Sequence, residues 1–261
     1  MTDPILSEDC GKWTKITFNR PEKLNCFNAN MLRLLYKILV EISDSDKRAI
    51  LITGSGRAFC TGQDLLERDP NTKNWPPNLG KILNEGINPI VKLITELPMP
   101  VVSAVNGVAA GAGANLALAS DLVIASDKAK FIQAFSKIGL APDAGGSWIL
   151  PNRIGLARAI GLAFSGEPLS ARKAVKWGLI WKSFDDDLLM LEAQKLMDRL
   201  ANGPTLAYAK TKFLMRDSVK NSFHDQLNLE AQTQLECAKS KDYSEGISAF
   251  LGKRSPNFEG Y

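Results

Sequence analysis

Hydrophobic and polar positions alternate from Trp13 to Phe18 in a β-branched run that predicts a strand, and the turn-like segment Asn19-Arg20-Pro21-Glu22-Lys23-Leu24-Asn25 follows it. The period then changes. Met31, Leu34, Leu35, Ile38 and Ile42 recur at helical spacing and predict one apolar helix face. Ala49 to Thr53 is a short apolar run, the signature of a buried strand, closed by Gly54-Ser55-Gly56. Pro70, Pro76 and Pro77 make Asp69 to Asn78 a loop, and Ile82, Leu83, Ile87, Ile90, Val91 and Ile94 predict a helix over Leu79 to Leu97, bent by Gly86 and Pro89. Three apolar strands are predicted at Val101 to Val105, Leu122 to Ala125 and Lys130 to Gln133, with the small-residue segment Gly107 to Ala119 between the first two. From Asp186 onward only amphipathic helical spacing is found, as at Phe223, Leu227, Ala231 and Leu235. The pattern therefore divides the chain into an α/β region over residues 1–185 and a helical region over 186–261, without repeats.

With 261 residues, 45% apolar and 23% charged, the chain is long enough for a sizeable core and lacks the composition of a disordered protein. Its 32 Lys and Arg against 28 Asp and Glu leave a net +4, spread along the chain. Nucleic acid as the main partner is not indicated; a solvated surface or a few cations meeting an anionic small molecule accounts for the excess. Cys10, Cys26, Cys60 and Cys237 form no CxxC pair, so neither a zinc site nor a redox motif is spelled out, and free thiols are expected. The acidic N-terminal stretch lacks the layout of a signal or transit peptide. Ser103, Asn106, Asn115 and Asp121 interrupt the least polar stretch, too often for a membrane span. A cytosolic protein without membrane attachment is expected.

The sole histidine, His224, lies in a helical stretch and reads as a surface position sooner than as part of a nucleophilic triad. No dinucleotide or P-loop fingerprint is present. Two glycine-bearing turns follow apolar strands, Phe59-Cys60-Thr61-Gly62-Gln63-Asp64-Leu65 and Asn106-Gly107-Val108-Ala109-Ala110-Gly111-Ala112-Gly113-Ala114-Asn115. Small residues there serve either to pack a helix on a sheet or to aim backbone amides into a cavity as a two-amide oxyanion hole. A third segment, Gly139-Leu140-Ala141-Pro142-Asp143-Ala144-Gly145-Gly146-Ser147-Trp148, places one carboxylate where it reads as a helix cap or as a catalytic base.

Taken in order, these segments resemble the crotonase (enoyl-CoA hydratase/isomerase) superfamily, whose members act on acyl-CoA thioesters. The resemblance runs from about Trp13 to Phe258 and includes Asn19-Arg20-Pro21, Gly62-Gln63-Asp64-Leu65, Asn106-Gly107 and Ser248-Ala249-Phe250-Leu251-Gly252-Lys253-Arg254-Ser255-Pro256. It implies an α/β crotonase-type spiral of ββα units with a C-terminal helical trimerisation region, assembled as a homotrimer or hexamer. It also implies that the amides of Gln63 and Ala112 hold the thioester oxygen as an enolate develops. The family usually has glycine at Ala112, and the methyl is tolerable if φ there is negative.

The pair of glutamates that activates water in hydratases is replaced by Asn115 and Phe135, neither of them a base, whereas Asp143 stands where isomerase-type relatives carry an acid. One carboxylate suffices to move a proton between carbons. The apolar company of Phe135, Leu140 and Trp148 should raise its pKa and a helix N-terminus should lower it. The resemblance thus points to an acyl-CoA isomerase with Asp143 as base, CoA entering only as part of the substrate, and no metal or other cofactor. Segments Asn106 to Ala114, Ala134 to Leu140 and Trp177 to Trp181 are similar to relatives that act on a ring epoxide of an aromatic acid. Trp75, Phe135 and Trp148 are candidates for the acyl pocket. Lys23, Leu24, Asp64 and Leu65 are implied at the CoA adenine and pantetheine, and Lys253 and Arg254 at its phosphates, possession of a solvated helix end being the plain reading of the last two. The competing readings are an enoyl-CoA hydratase and, from another class, a noncatalytic CoA-thioester or RNA-binding protein on the same fold.

Overall fold

The structure, a computed structural model, describes residues 3–71 and 75–261. In chain order its strands and helices are β1 (Ile5–Asp9), β2 (Trp13–Phe18), α1 (Ala29–Ser43), β3 (Ala49–Gly54), β4 (Ala58–Cys60), α2 (Leu79–Glu85), α3 (Ile87–Glu96), β5 (Val101–Val105), β6 (Val108–Ala110), α4 (Ala112–Ala119), β7 (Leu122–Ser126), β8 (Lys130–Ile132), α5 (Gly146–Ile154), α6 (Leu156–Ser165), β9 (Leu169–Ser170), α7 (Ala171–Trp177), β10 (Lys182–Phe184), α8 (Leu189–Ala201), α9 (Thr205–Asp217), α10 (Phe223–Cys237) and α11 (Lys241–Leu251).

From β3 to β8, strands that follow one another in sequence are dealt alternately to two sheets. One runs β1-β2-β3-β5-β7-β10 and the other β4-β6-β8-β9. Pairing is parallel except at β1 with β2 and β8 with β9. Each repeat contributes a strand to the large sheet, a short strand to the small one and then a helical segment, which is the ββα spiral. Gln63 follows β4 and Ala112 opens α4 just after β6, and because β4 and β6 pair in parallel both positions leave the small sheet at the same end.

At its centre, over β3, β5 and β7, the large sheet is buried on both faces, which explains why these strands read as continuous apolar runs. Ile50, Ile52, Val101 and Val105 face the principal core with α1, α3 and α4, while Leu51, Val102, Ala104 and Ile124 face a second core closed by α8. Helix α1 buries Met31, Leu32, Leu35, Ile38, Leu39 and Ile42, a broader stripe than the predicted one, and Asn28 caps it by accepting from the Met31 amide at 2.8 Å. At about 1.5–3 kcal/mol for each large apolar side chain removed from water, that stripe is a principal attachment of the helix.

Several expectations are adjusted. Strand β1 escaped the periodicity because only Ile5 of its five residues is buried, as suits an edge strand. The long predicted helix is divided at Gly86 into α2 and α3. Part of the small-residue segment forms β6 and α4, and the strand predicted to Gln133 stops at Ile132. Of the predicted 69–78 loop, residues 72–74 lie outside the described residues.

The last helices are tied back by buried charge. The Asp121 carboxylate, between α4 and β7, pairs with Lys212 at 2.9 Å and Arg216 at 3.0 Å on α9. The Arg48 guanidinium donates to Thr205 Oγ1 at 2.9 Å, to the Phe258 carbonyl at 3.1 Å and to the Gly203 carbonyl. The Asp242 carboxylate accepts from the amides of Glu259 and Gly260 at 2.7 and 2.9 Å.

Candidate active site

The turn after β4 is held from behind. Asp64 accepts from Arg20 at 3.0 Å and from the Leu66 amide at 3.3 Å, so its buried carboxylate caps the 3-10 turn Leu65–Arg68 and fixes it to the segment after β2. Burial alone would raise the Asp64 pKa, but the bonds from Arg20 and the Leu66 amide hold it below the usual carboxylate value. Asn25 braces the same segment, donating to the Ser55 and Ala58 carbonyls at 2.9 and 2.7 Å.

On this frame Phe27 and the turn form a single parallel bridge. The Phe27 amide donates to the Gly62 carbonyl at 2.7 Å and the Asp64 amide to the Phe27 carbonyl at 2.8 Å, a pattern that passes over the amide of Gln63. Ala112 opens α4, whose first amides have no carbonyl one turn earlier. Among the described residues neither the Gln63 nor the Ala112 amide donates to a protein group. The two turns touch: a Cβ on Gly62, whose φ is +90°, would lie 3.0 Å from the Ala110 carbonyl oxygen and 3.4 Å from the Ala112 nitrogen. Ala112 is not among the residues with positive φ, so its methyl imposes no backbone strain.

Both turns line a cleft of about 270 Å³ together with Phe135, Leu140 and Asp143. The carboxylate of Asp143 does not cap α5. That helix starts from Gly145 without a side-chain cap, and it is the Asp143 carbonyl, not its side chain, that accepts from the Gly146 amide at 2.9 Å. The Asp143 Oδ1 is buried without a hydrogen-bond partner among the described residues. Burial raises its pKa from 3.8 to about 6, against the pull of the Arg68 charge and of its own backbone amide. A carboxylate so placed is a competent proton carrier near neutral pH.

Asn115 is fully buried behind the cleft. Its Nδ2 donates to the Asp143 carbonyl at 2.9 Å and its Oδ1 accepts from Gln133 Nε2 at 2.8 Å, so it positions the Asp143 loop. Gly146 leaves room for it, since a Cβ there would fall 2.2 Å from the Asn115 amide nitrogen.

Of the residues singled out in the sequence, Gln63, Ala112, Asp143, Phe135 and Leu65 meet at this cleft. Trp148 does not: it is 46% exposed on α5 and lies outside the lining that Phe135 and Leu140 share with Asp143. Trp75 is also exposed and outside the lining. Leu24 lies next to the site through its carbonyl, which accepts from the Thr61 amide at 3.2 Å, and Lys23 is exposed beside it. Asp64 faces Arg20 instead of the cavity. Arg254 is engaged by Glu245 through bonds of 2.6 and 2.8 Å, and neither it nor the exposed Lys253 lines the cleft of this chain. His224 is exposed on α10. Arg68, Leu83, Ile87 and Ile138 are further lining residues that sequence reasoning missed. The helical spacing of Leu83 and Ile87 marked them as apolar but not as cavity walls. Arg68 carries no local signal.

Among the described residues no group of three or more His, Cys, Asp or Glu side chains could hold a metal ion, and no helix is long and apolar enough to cross a membrane.

A family model described as enoyl-CoA hydratase/isomerase matches residues 12–261. The chain is 48% identical over 246 residues, covering 94% of each sequence, to 1,2-epoxyphenylacetyl-CoA isomerase of Escherichia coli (strain K12). It is 45% identical over 245 residues to a protein of Rhodobacter capsulatus named probable enoyl-CoA hydratase, covering 94% of this chain and 93% of that one. The crystal structure of an enoyl-CoA hydratase from Bacillus anthracis superposes with a TM-score of 0.92 at 30% identity, covering 99% of this chain and 100% of that one.

Proposed function

Because the chain belongs to the enoyl-CoA hydratase/isomerase family, we propose that it is an acyl-CoA isomerase in which Asp143 alone moves the proton, and that its substrate is the ring epoxide of phenylacetyl-CoA. One observation carries this reading. Among the described residues that line the cleft, Asp143 is the only acid, while the positions matched to the hydratase glutamates hold a buried structural amide, Asn115, and an aromatic ring, Phe135. Water addition needs a base beside the water; proton transfer within one substrate does not need the second carboxylate.

In this mechanism the Gln63 and Ala112 amides donate to the thioester oxygen. Ionised Asp143 takes a proton from the carbon next to the thioester, and the negative charge moves to the oxygen held by the two amides. The protonated Asp143 returns the proton to a carbon further along, the oxygen charge collapses, and a double bond has moved with no atom gained or lost. For the ring epoxide, opening of the shared carbon–carbon bond to the seven-membered oxepin accompanies the same proton shift, and the product is again an isomer. CoA serves as the handle of the thioester, and no separate cofactor enters. The 48% identity to an epoxyphenylacetyl-CoA isomerase supports the ring substrate.

We place the protein in a homotrimer or a pair of trimers. The support is a set of large apolar side chains on its last helices left in water by one chain, among them Met215, Phe223, Phe250 and Leu251. Lys253 and Arg254 would then reach CoA phosphates of a neighbouring subunit.

The reading is tested with matched 3-enoyl and 2-enoyl CoA thioesters in heavy water, followed by mass. Conversion of the 3-enoyl substrate without gain of water, abolished in Asp143→Asn, is expected. Rapid hydration of the 2-enoyl substrate would instead favour the hydratase reading that the Rhodobacter capsulatus relative's name suggests.

A further inference from the structure

Arg68 closes the 3-10 turn that Asp64 caps, and its side chain forms part of the wall of the Asp143 cleft. Nη1 of its guanidinium is buried and has no hydrogen-bond partner among the described residues. The nearby acids are otherwise engaged: Glu67 accepts from Gln63 Nε2 at 3.1 Å and from the Ala29 amide at 3.4 Å, and Glu85 faces Lys81 at 3.9 Å. Arg68 makes no ion pair among the described residues, although its charge acts on Asp143. The second cation at the cleft, Lys137, is exposed to water.

A buried guanidinium donor left unpaired costs about as much as a strong hydrogen bond contributes, so such groups persist where a ligand supplies the acceptor. The Gln63 and Ala112 amides already account for the thioester oxygen, and Leu83, Ile87, Ile138 and Leu140 make much of the remaining wall apolar. A plain hydrocarbon acyl group would leave Arg68 unsatisfied. A distal carboxylate would satisfy it, but would also bring a second negative charge toward ionised Asp143. A neutral oxygen gives the donor a partner without that repulsion.

We propose that Arg68 is a specificity-determining residue that donates from Nη1 to a neutral oxygen on the acyl group, selecting thioesters with an ether, epoxide or hydroxyl oxygen near the reacting carbons over purely hydrocarbon ones. This rests on the acyl-CoA reading of the cleft and narrows it to oxygen-bearing substrates.

The test measures equilibrium binding of two matched probes, phenylacetyl-CoA and 2-hydroxyphenylacetyl-CoA, by calorimetry with the wild type and Arg68→Met. The wild type is expected to bind the hydroxylated probe at least about tenfold more tightly, the range of one hydrogen bond to a charged donor. In Arg68→Met the ratio of the two Kd values should fall to within about twofold of one. Equal affinities in the wild type, or a preference that survives in Arg68→Met, would overturn the assignment. The wild-type ratio does not depend on how the variant folds. Because the readout is a binding ratio, failure of the isomerase reading shows separately, as absence of Asp143-dependent turnover while the probes still bind. Failure of both probes to bind would overturn the acyl-CoA reading and the role of Arg68 with it.

Discussion

The side-chain amide of Asn115 donates to the main-chain carbonyl of Asp143 at 2.9 Å, so a buried amide supports the loop whose carboxylate lines the cleft. The support is coupled to a second position, since Gly146 is the residue whose lack of a side chain admits Asn115. Asn115→Ala should leave the Asp143 loop without a buried hydrogen bond, costing about 1–3 kcal/mol of stability. Gly146→Ala should show a similar loss together with reduced turnover. Thermal melts paired with the 3-enoyl assay check both, and a Gly146→Ala enzyme with unchanged melting and turnover would contradict the coupling.

Replacing Asp143 with Asn retains the shape of the side chain and removes the carboxylate proposed as the base. A fall in kcat/KM of about 10²–10⁴ is expected, the usual contribution of a positioned base. Full activity in this variant would mean that another group moves the proton.

The elevated pKa of Asp143 gives the pH profile a direction. The base must be ionised, so kcat/KM should rise with pH through about 6 and then level. In Asp143→Asn that inflection should be missing from any residual rate. A stopped-flow or coupled assay from pH 4.5 to 8.5 reads it.

The same carboxylate opposes folding once ionised. A group whose pKa is 3.8 when unfolded and about 6 when folded binds more protons in the folded state across that interval, so its contribution is fully present below about 4 and is lost as pH rises through about 6. The loss is on the order of 3 kcal/mol. Asp143→Asn should therefore gain stability relative to wild type between pH 4 and pH 7, measured by urea denaturation at each pH. A difference that does not change with pH would refute the shift.

Arg20 and Asp64 behave in the opposite sense. Their pair has side chains only 16% and 10% exposed, and losing either partner leaves the other charged and largely buried. Arg20→Met should cost about 3 kcal/mol. The depressed Asp64 pKa means that its contribution is present above the ordinary carboxylate value and fades as pH falls below it. Acid unfolding followed by fluorescence should thus begin at higher pH in Asp64→Asn than in wild type, because the variant starts from lower stability.

The legible parts of this fold were those with a strong period. The buried runs of β3, β5 and β7 and the apolar stripe of α1 could be read because both sheet faces and one helix face are removed from water. Strands of two or three residues, such as β9 and β10, are too short to hold a period and are fixed by their neighbours in the sheet. At the site, the turn of Gly62 and Gln63 reads on its own as helix packing and Asp143 as a helix cap, and it is the ordered set of segments resembling the crotonase superfamily that singles them out. Trp148 was expected at the pocket and lies outside it, since a tryptophan in the first turn of a helix faces inward or outward according to how that helix is rotated. Arg68 was invisible for a different reason: in Leu65-Leu66-Glu67-Arg68 it reads as an ordinary solvated turn, and only the folded loop turns its guanidinium inward.

The contacts of Arg48 bear on the order in which the protein is made. This arginine precedes β3, yet the oxygens that receive its guanidinium belong to Gly203, Thr205 and Phe258, between 155 and 210 positions later. A nascent chain that has built the central sheet still carries this cation without its acceptors. The early folded portion must keep Arg48 hydrated at the sheet margin, and the final gain in stability is withheld until the helices of the last quarter have left the ribosome and closed over it.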